Sequence, residues 1–260
     1  MRAVVYLKKI EVAVYLILSM LLWFLSFSVF LPFVISLVLS KTASHLWFSY
    51  FFSKFLMPLF GFMVLSKRRQ LFNILKEHLS NRNKAVPLEI LEIGIGPGSN
   101  LRFYPENSNL TALDVNPSFI EIFNKNKKYY PQISFKRTVL NFGEDMKDIN
   151  DSSFDVVIST HTLCSVKNVE LVIKEVKRVL KTGGKYIFME HVVFPKNEGG
   201  YLIQNLMDPL WPILFGGCHV NRDITGTIKN AGFSDLHHDV SYPVYLPIWF
   251  RPHLIGIATK

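Results

Sequence analysis

The residues best suited to chemistry lie in a glycine-rich run, Leu-Glu-Ile-Gly-Ile-Gly-Pro-Gly, at residues 91–98. Gly94, Gly96 and Gly98 can take up positive φ and let the backbone approach a ligand closely. Their GxGxG spacing differs from the GxGxxG of dinucleotide-binding loops. Glu92 precedes the loop, and a carboxylate there favours a ligand that carries an ammonium group over a pyrophosphate. The run therefore predicts a site for S-adenosylmethionine rather than for NAD.

Asp114 follows 16 residues after Gly98, at the end of the next predicted strand. An acidic side chain in this place can accept hydrogen bonds from both hydroxyl groups of a ribose. Asn116 lies two residues further on, before Pro117 opens a predicted helix, and we include it in the predicted cofactor site.

The remaining predicted cofactor residues follow two later strands. Glu144 or Asp145 could accept a hydrogen bond from the adenine amino group. Thr160 and His161 end another strand, and open α/β sheets bind ligands at the carboxyl ends of their strands. Each feature alone is common in proteins, but their order and spacing together indicate one cofactor site.

Short apolar runs alternate with helical patterns from Val86 onward, which predicts an α/β fold with a mostly parallel, doubly wound sheet. The predicted strands are 88–93, 110–114, 133–137, 154–159, 185–191, 233–240 and 254–259. The predicted helices are 67–79, 117–128, 169–180 and 221–230, the third of them stopping at Gly183-Gly184.

The N-terminal quarter is apolar enough to enter a membrane. Residues 12–39 carry no charge, and Lys54 is the only charged residue from Thr42 to Leu65. As a helix, the first 28 residues would reach roughly 42 Å, against about 30 Å for a hydrocarbon core. A break at Pro32 and basic residues on both flanks favour a hairpin or an in-plane anchor over a single span. We therefore divide the chain into an anchor, 1–65, and a globular domain, 66–260.

Charge and cysteine content limit the partners. The net charge is +9, and beside so apolar an N-terminus it favours membrane lipid over nucleic acid, for which the sequence shows no zinc-finger spacing or aromatic RNA-binding box. The two cysteines, Cys164 and Cys218, form no disulfide framework and no CxxC, and Cys218-His219 is poor spacing for a metal. We expect no metal and a cytosol-facing domain.

The motifs resemble those of class I methyltransferases: LEIGIGPG, LDVNP (113–117), GEDM (143–146), FDVVIST (154–160) and VLKTGG (179–184). Further motifs, LCSV (163–166), MEHV (189–192), DPLW (208–211), GC (217–218) and RPH (251–253), resemble the methyltransferase-like seven family. The resemblance covers about residues 67–260. It implies a seven-stranded Rossmann-like methyltransferase sheet, and an enzyme that methylates small lipophilic alkyl thiols at the endoplasmic reticulum or on lipid droplets.

Methyl transfer to a thiol needs alignment of the acceptor with the methyl group and at most a modest base. We expect His191, at the end of the predicted fifth strand, to accept the thiol proton or to orient the acceptor, or else to bond only to the backbone. Asp208 could be a base, a cation-recognising group or a helix cap. The aromatic segment 201–215 could form a lid through which an apolar acceptor enters from lipid.

Two departures from the family pattern leave alternatives open. This chain has Ile95 and Pro97 where the family usually reads GCGTG, and Gly216 where an Asp often precedes the GC pair. Pro97 lacks a backbone donor and Gly216 lacks an acidic group. The alternatives are methylation of a lipid or quinone oxygen or nitrogen, and a catalytically weak membrane or lipid-droplet protein that retains the fold.

Overall fold

One sheet of seven strands organises the chain, of which the computed structural model describes residues 2–260 and the side chains of residues 7–260. The strands are β1 Leu88–Ile93, β2 Ser108–Asp114, β3 Ile133–Leu140, β4 Phe154–Thr160, β5 Leu180–His191, β6 Asp235–Ser241 and β7 His253–Thr259. They lie in the order β3-β2-β1-β4-β5-β7-β6, and β7 is antiparallel to both of its neighbours while the other pairs are parallel. The predicted doubly wound sheet is confirmed.

Helices precede the sheet and cover its two faces. The N-terminal helices are α1 Arg2–Phe27, α2 Leu31–Leu39, α3 Lys41–Phe51, α4 Met57–Met63 and α5 Leu65–His78, with a π-helical turn at Phe52–Leu56. The later helices are α6 Pro117–Asn126, α7 Val169–Val179, α8 Gly199–Met207, α9 Trp211–Leu214 and α10 Ile224–Asn230.

The core lies on both faces of the sheet. The amphipathic α7 buries Val172 and Val176 in a cluster on one face, and α5 buries Leu71 and Leu75 in a cluster on the other. Both pairs are four residues apart, which is the spacing that brings side chains to one side of a helix. Because β1 lies between β2 and β4, the chain changes direction beside β1 and opens a crevice at the carboxyl ends of these strands.

The N-terminal helices pack against the sheet domain instead of standing apart from it. Trp23 Nε1 of α1 donates to Leu206 O at 2.9 Å, and Trp47 Nε1 of α3 donates to Leu214 O at 2.9 Å. The division at residue 65 stays a prediction, but contacts between the two predicted parts are extensive.

Two stretches of these helices are long and apolar enough to cross a membrane by length and composition. They are Leu7–Phe27, with mean hydropathy 2.1, and Lys41–Met63, with mean hydropathy 1.2. The chain breaks between them at residues 28–30, earlier than predicted, because Pro32 sits in the first turn of α2, where its missing N–H costs nothing.

Some predicted boundaries were wrong. The helix predicted over 169–180 ends at Val179, and Leu180 already begins β5, so Gly183 and Gly184 lie within a strand instead of stopping a helix. A register irregularity between Phe154 and Val156 accommodates this extension of β5 beside β4. The last predicted helix begins at Ile224, where Asp223 caps it by accepting from Gly226 N.

Candidate active site

The glycine loop after β1 is tied to the end of β2. Gly94, Gly96 and Gly98 all have positive φ, between 52° and 88°. A Cβ on Gly98 would lie 2.7 Å from Leu101 Cδ1, whereas one on Gly96 would meet nothing within 4 Å. The space beside Gly96 is therefore open, so that a ligand could approach the backbone closely there.

Glu92 is buried at the end of β1 with one oxygen unsatisfied. Asn100 Nδ2 donates to its Oε1 at 2.8 Å, while Oε2 has no partner among the described residues. Burial raises the pKa of Glu92 to about 8, against the lowering effect of the Asn100 hydrogen bond and of the Arg68 charge. A buried carboxylate with a free oxygen costs stability until a donor reaches it, which is the property expected of an ammonium-binding group.

Asp114 accepts backbone hydrogen bonds through both carboxylate oxygens, one of them from the glycine loop. Oδ2 accepts from Gly96 N at 2.9 Å, and Oδ1 accepts from Asn116 N at 2.8 Å. Burial raises its pKa to about 6, while these backbone hydrogen bonds act to lower it. Asn116 caps α6 by accepting from Ser118 N at 3.0 Å. Asp114 and Asn116 therefore shape the site as well as line it.

A cavity of about 610 Å³ collects nearly all the predicted cofactor residues. Its walls include Glu92, Gly94, Gly96, Asp114, Asn116, Glu144, Thr160 and His161. Gly98 does not line the cavity; it follows the lining residue Pro97 in the same loop. Glu144 also accepts from the backbone N of Asn168, the residue that caps α7, at 3.1 Å. Asp145 lies outside the cavity, because its half-exposed carboxylate pairs with Lys147 at 3.2 Å; of the two acidic residues, Glu144 is the one placed to face a ligand.

Arg68 is a site residue that the sequence analysis missed. It lies on α5, is 6% exposed, and lines the cavity near Glu92. Its Nε has no partner among the described residues, and burial lowers its pKa to about 10, so it stays charged. In the sequence Arg68 is one of three consecutive basic residues, Lys67 to Arg69, which read as a membrane-facing cluster and hid its burial.

A second, apolar chamber of about 290 Å³ adjoins the first cavity. The two share Phe48, Phe52, Arg68, Ser99, His161 and Ser165. The rest of the chamber wall is mostly aromatic and aliphatic, and it comes from α3, α4, the segment 211–218 and the segment 247–253. The N-terminal helices thus complete a binding chamber, which no reading of them as an anchor alone anticipated.

His161 stands where the two cavities meet, and its hydrogen bonds fix its tautomer. His253 Nδ1 donates to Phe250 O at 3.0 Å, since a carbonyl can only accept. Burial lowers the pKa of His253 to about 4, so this ring is neutral and its Nε2 is an acceptor. His161 Nε2 lies 2.8 Å from that atom and must donate to it. Burial also lowers the pKa of His161, so Nδ1 of this neutral ring carries the free lone pair.

The two predicted catalytic residues lie in different surroundings. His191 lines the apolar chamber, with Nε2 3.2 Å from Cys218 Sγ and Nδ1 without a partner among the described residues. Asp208 instead accepts from Val220 N at 2.9 Å and lies 3.0 Å from His219 Nδ1. It lies outside both cavities and positions the loop that carries Cys218. His191 is therefore placed to meet an acceptor, and Asp208 is not.

Comparison with known proteins gives the family. A family model described as a methyltransferase domain matches residues 91–188. Human "Thiol S-methyltransferase TMT1A" is 38% identical over 82% of this chain and 86% of its own length. Rat "Thiol S-methyltransferase TMT1B" is 36% identical over 75% of this chain and 79% of its own. The chain belongs to the thiol S-methyltransferase family. It is an S-adenosylmethionine-dependent methyltransferase, as the cofactor loop predicted.

A solved structure supports the same fold for this thiol S-methyltransferase family member. Phosphoethanolamine N-methyltransferase 2 of Haemonchus contortus, solved in complex with S-adenosyl-L-methionine, superposes with a TM-score of 0.53 at 15% identity. The match covers 74% of this chain and 52% of that one. At this identity the likeness concerns the fold alone.

The residues present fit the cofactor. The buried, unsatisfied Oε2 of Glu92 suits the ammonium group, and the charged Arg68 suits the carboxylate of the methionine portion. Gly96 leaves open space beside Asp114, where a ribose can approach. Pro97 has no backbone N–H, but the fit does not depend on one there, because the hydrogen bond that ties the loop to Asp114 comes from Gly96 N. Gly216 has φ of 61°, and a Cβ there would lie 2.3 Å from Phe48 Cδ1, so glycine suits the aromatic packing at this position.

Proposed function

We propose that this chain transfers a methyl group from S-adenosylmethionine to the sulfur of small lipophilic thiols. The observation that carries the proposal is the apolar chamber, which meets the cofactor cavity at His161 and Ser165. An acceptor held among its aromatic walls would present its polar end towards the cofactor. Enclosure of this kind converts the transfer into a reaction between aligned neighbours, the main requirement of an in-line displacement.

The cofactor would be held by four groups of residues. Glu92 would bind its ammonium group, Arg68 its carboxylate, Asp114 its ribose, and the segment 142–144 its adenine. When bound, S-adenosylmethionine supplies an activated methyl group on a positively charged sulfur. The protein would fix this group at the junction of the two cavities and exclude water with the surrounding phenylalanines.

His161 would take the proton of the acceptor thiol. Its Nδ1 lone pair is oriented by the hydrogen-bonded series from Phe250 O through His253, in the way that a third group orients the base in a catalytic triad. This assigns proton transfer to His161, which the sequence analysis had placed only at the cofactor, and it leaves His191 for contact with the acceptor.

The enzyme would work at a membrane surface with its N-terminal helices lying in the plane of the interface. One side of α1 packs on the domain, and Glu11 pairs with Arg251 at 2.6 Å. The opposite side exposes large apolar residues, among them Ile17, Leu21 and Phe24. A helix that is fixed lengthwise to a globular domain suits an interfacial anchor better than a span. The motif resemblance implies the endoplasmic reticulum or lipid droplets, and we extend the proposal to such a membrane, with the domain facing the cytosol.

The charge of the chamber bears on the other acceptors. Among its described lining residues, Arg68 is the one permanently charged side chain and carboxylates are absent, so a cationic amine headgroup would lack a counter-charge. The test is an acceptor screen with detergent-purified full-length protein and labelled S-adenosylmethionine, offering an alkyl thiol, an alcohol, an amine and a quinol. Label on the thiol alone supports the proposal; label on another acceptor, or on none, contradicts it.

A further inference from the structure

Three side chains that can bind a soft metal ion converge in the wall of the apolar chamber. Cys164 lies in the loop after β4, His191 ends β5, and Cys218 lies in the loop after α9. One potential ligand atom from each lies within 4.8 Å of the other two, and all three residues are buried. They are separated by 27 residues at each step, so only the fold brings them together.

The geometry suits one tetrahedral zinc ion. Tetrahedral zinc bonds of about 2.3 Å to sulfur and about 2.0 Å to nitrogen place the two sulfurs and the nitrogen roughly 3.5 to 3.8 Å apart. The distance of 3.2 Å between His191 Nε2 and Cys218 Sγ is slightly below that spacing, and all three ligand atoms lie within 4.8 Å of one another, so the spacing falls in the range that they cover. Two thiolates and an imidazole also form a donor set that selects zinc over magnesium or calcium.

We propose that Cys164, His191 and Cys218 bind one zinc ion, and that the acceptor thiol takes its fourth coordination position. All three residues line the chamber, so the fourth position faces the space where the acceptor lies. Three protein ligands and one open position characterise catalytic zinc sites, whereas structural sites are closed. The second half of this proposal rests on the proposed function; the first half does not.

The reaction balances without a further reagent. The acceptor thiol displaces a water molecule from zinc and binds as the thiolate, and its proton passes to Nδ1 of His161 and then to water. The thiolate forms a new sulfur–carbon bond to the methyl group, the carbon–sulfur bond of the sulfonium breaks, and its electron pair stays on the departing S-adenosylhomocysteine. The product thioether is a weak ligand and is replaced by water. A free thiol has a pKa of about 8.5, and coordination to zinc would lower it.

The test measures metal directly, without relying on turnover. Tag-free, detergent-purified full-length protein is stripped with a chelator, loaded with zinc or cobalt, desalted and analysed for metal content. We expect one zinc per chain, and with cobalt the absorption bands of tetrahedral thiolate ligation. Addition of an alkyl thiol should change the cobalt spectrum. Cys164→Ser and Cys218→Ser should each weaken the thiolate bands, and the double variant should lose them. His191→Gln should weaken binding, and the exposed-histidine control His238→Gln should change nothing.

Different failures point to different parts of the account. Absence of stoichiometric metal from the folded wild-type protein, with thiol methylation undiminished by chelator, overturns the zinc site and leaves the proposed function standing. Stoichiometric zinc with a cobalt spectrum that ignores thiols overturns the fourth-ligand role. Because the wild-type spectrum decides both points, the proposal stays testable even if a cysteine variant does not fold.

Discussion

Nε2 of His161 lies 2.8 Å from Nε2 of His253, and this contact joins the carboxyl end of β4 to the first residue of β7. His253 is buried and His161 is half-buried where the two cavities meet, and Phe250 O fixes the direction of their hydrogen bond. A residue from the last strand thereby sets which nitrogen His161 turns towards the acceptor.

Replacement of His253 should therefore impair turnover without impairing cofactor binding. We expect His253→Gln to lower kcat for thiol methylation roughly ten- to hundredfold, because His161 loses its oriented partner. The affinity for S-adenosylmethionine, measured by calorimetry, should change little, and His238→Gln on the neighbouring exposed strand should resemble wild type. An unchanged kcat would show that the histidine pair serves packing alone.

Arg68 should recognise the carboxylate of the cofactor. Arg68→Met should weaken binding of S-adenosylmethionine roughly ten- to hundredfold, the worth of a hydrogen bond to a charged group. The exposed neighbour provides the control Arg69→Met. Decarboxylated S-adenosylmethionine separates the specific role from a general loss of structure: wild type should bind it more weakly than the cofactor, and Arg68→Met should bind both equally. If Arg68→Met keeps the wild-type preference, Arg68 does not contact the carboxylate.

Glu92 should make cofactor binding pH-dependent. Its folded pKa of about 8 lies above the ordinary value of 4.5, so the free site is largely protonated at neutral pH. An ammonium group requires the carboxylate, so binding should release a proton and tighten as the pH rises towards 8. Calorimetry in buffers of different ionisation enthalpy would detect this proton, and Glu92→Gln should bind weakly without releasing it. Buffer-independent heats for wild type would contradict the assignment.

The raised pKa of Glu92 also makes the stability of the cofactor-free protein depend on pH. A raised folded pKa stabilises the free protein below the unfolded value of 4.5, and this contribution is lost as the pH rises through about 8. Glu92→Gln without cofactor should therefore melt at a higher temperature than wild type by a margin that grows between these pH values. Thermal melts at a series of pH values would measure it.

The exposed apolar side of α1 should hold the protein on membranes. Ile17→Lys combined with Leu21→Lys should reduce liposome binding by at least about a hundredfold, since each change removes a large apolar side chain from the lipid. The control Leu171→Lys alters an exposed apolar residue on α7, away from the anchor. Liposome flotation measures binding, and equal flotation of the double variant would contradict an in-plane anchor at this face.

The cofactor site was largely predictable because its residues follow strands in order. A parallel sheet brings the carboxyl ends of its strands to one edge, so the glycine loop, Asp114 and Thr160 had to meet there. Asp145 was indistinguishable from Glu144 in the sequence, and only the loop before α7, whose Asn168 N donates to Glu144, decides which of them turns inward. The end of α7 at Val179 was also hidden in the sequence, because Leu180 continues the four-residue apolar spacing of Val172 and Val176.

The acceptor chamber could not be predicted from the sequence. Phe48 and Phe52 belong to the segment whose apolar composition indicated a membrane anchor, and Arg68 belongs to the basic flank that follows it. Composition does not reveal which side of these helices faces the protein. Cys164, His191 and Cys218 meet only through the crossing of three separate connections. The spacing of residues in the sequence predicts neighbours within one strand or helix. It does not predict contacts between residues that are far apart in the chain, such as these.

The most direct test of the account is competition between a straight-chain alkyl thiol and the alcohol of equal length, with product analysis by mass spectrometry. A Cβ on Gly61, in the chamber wall, would meet only Met57 Cγ at 3.9 Å, so Gly61→Phe should fill part of the chamber. The account predicts the methyl thioether alone from wild type. It also predicts a raised KM for longer thiols in Gly61→Phe, with cofactor affinity unchanged and Leu59→Phe, on the exposed side of α4, like wild type. Methylation of the alcohol, or a KM in Gly61→Phe equal to that of wild type at every chain length, would contradict it.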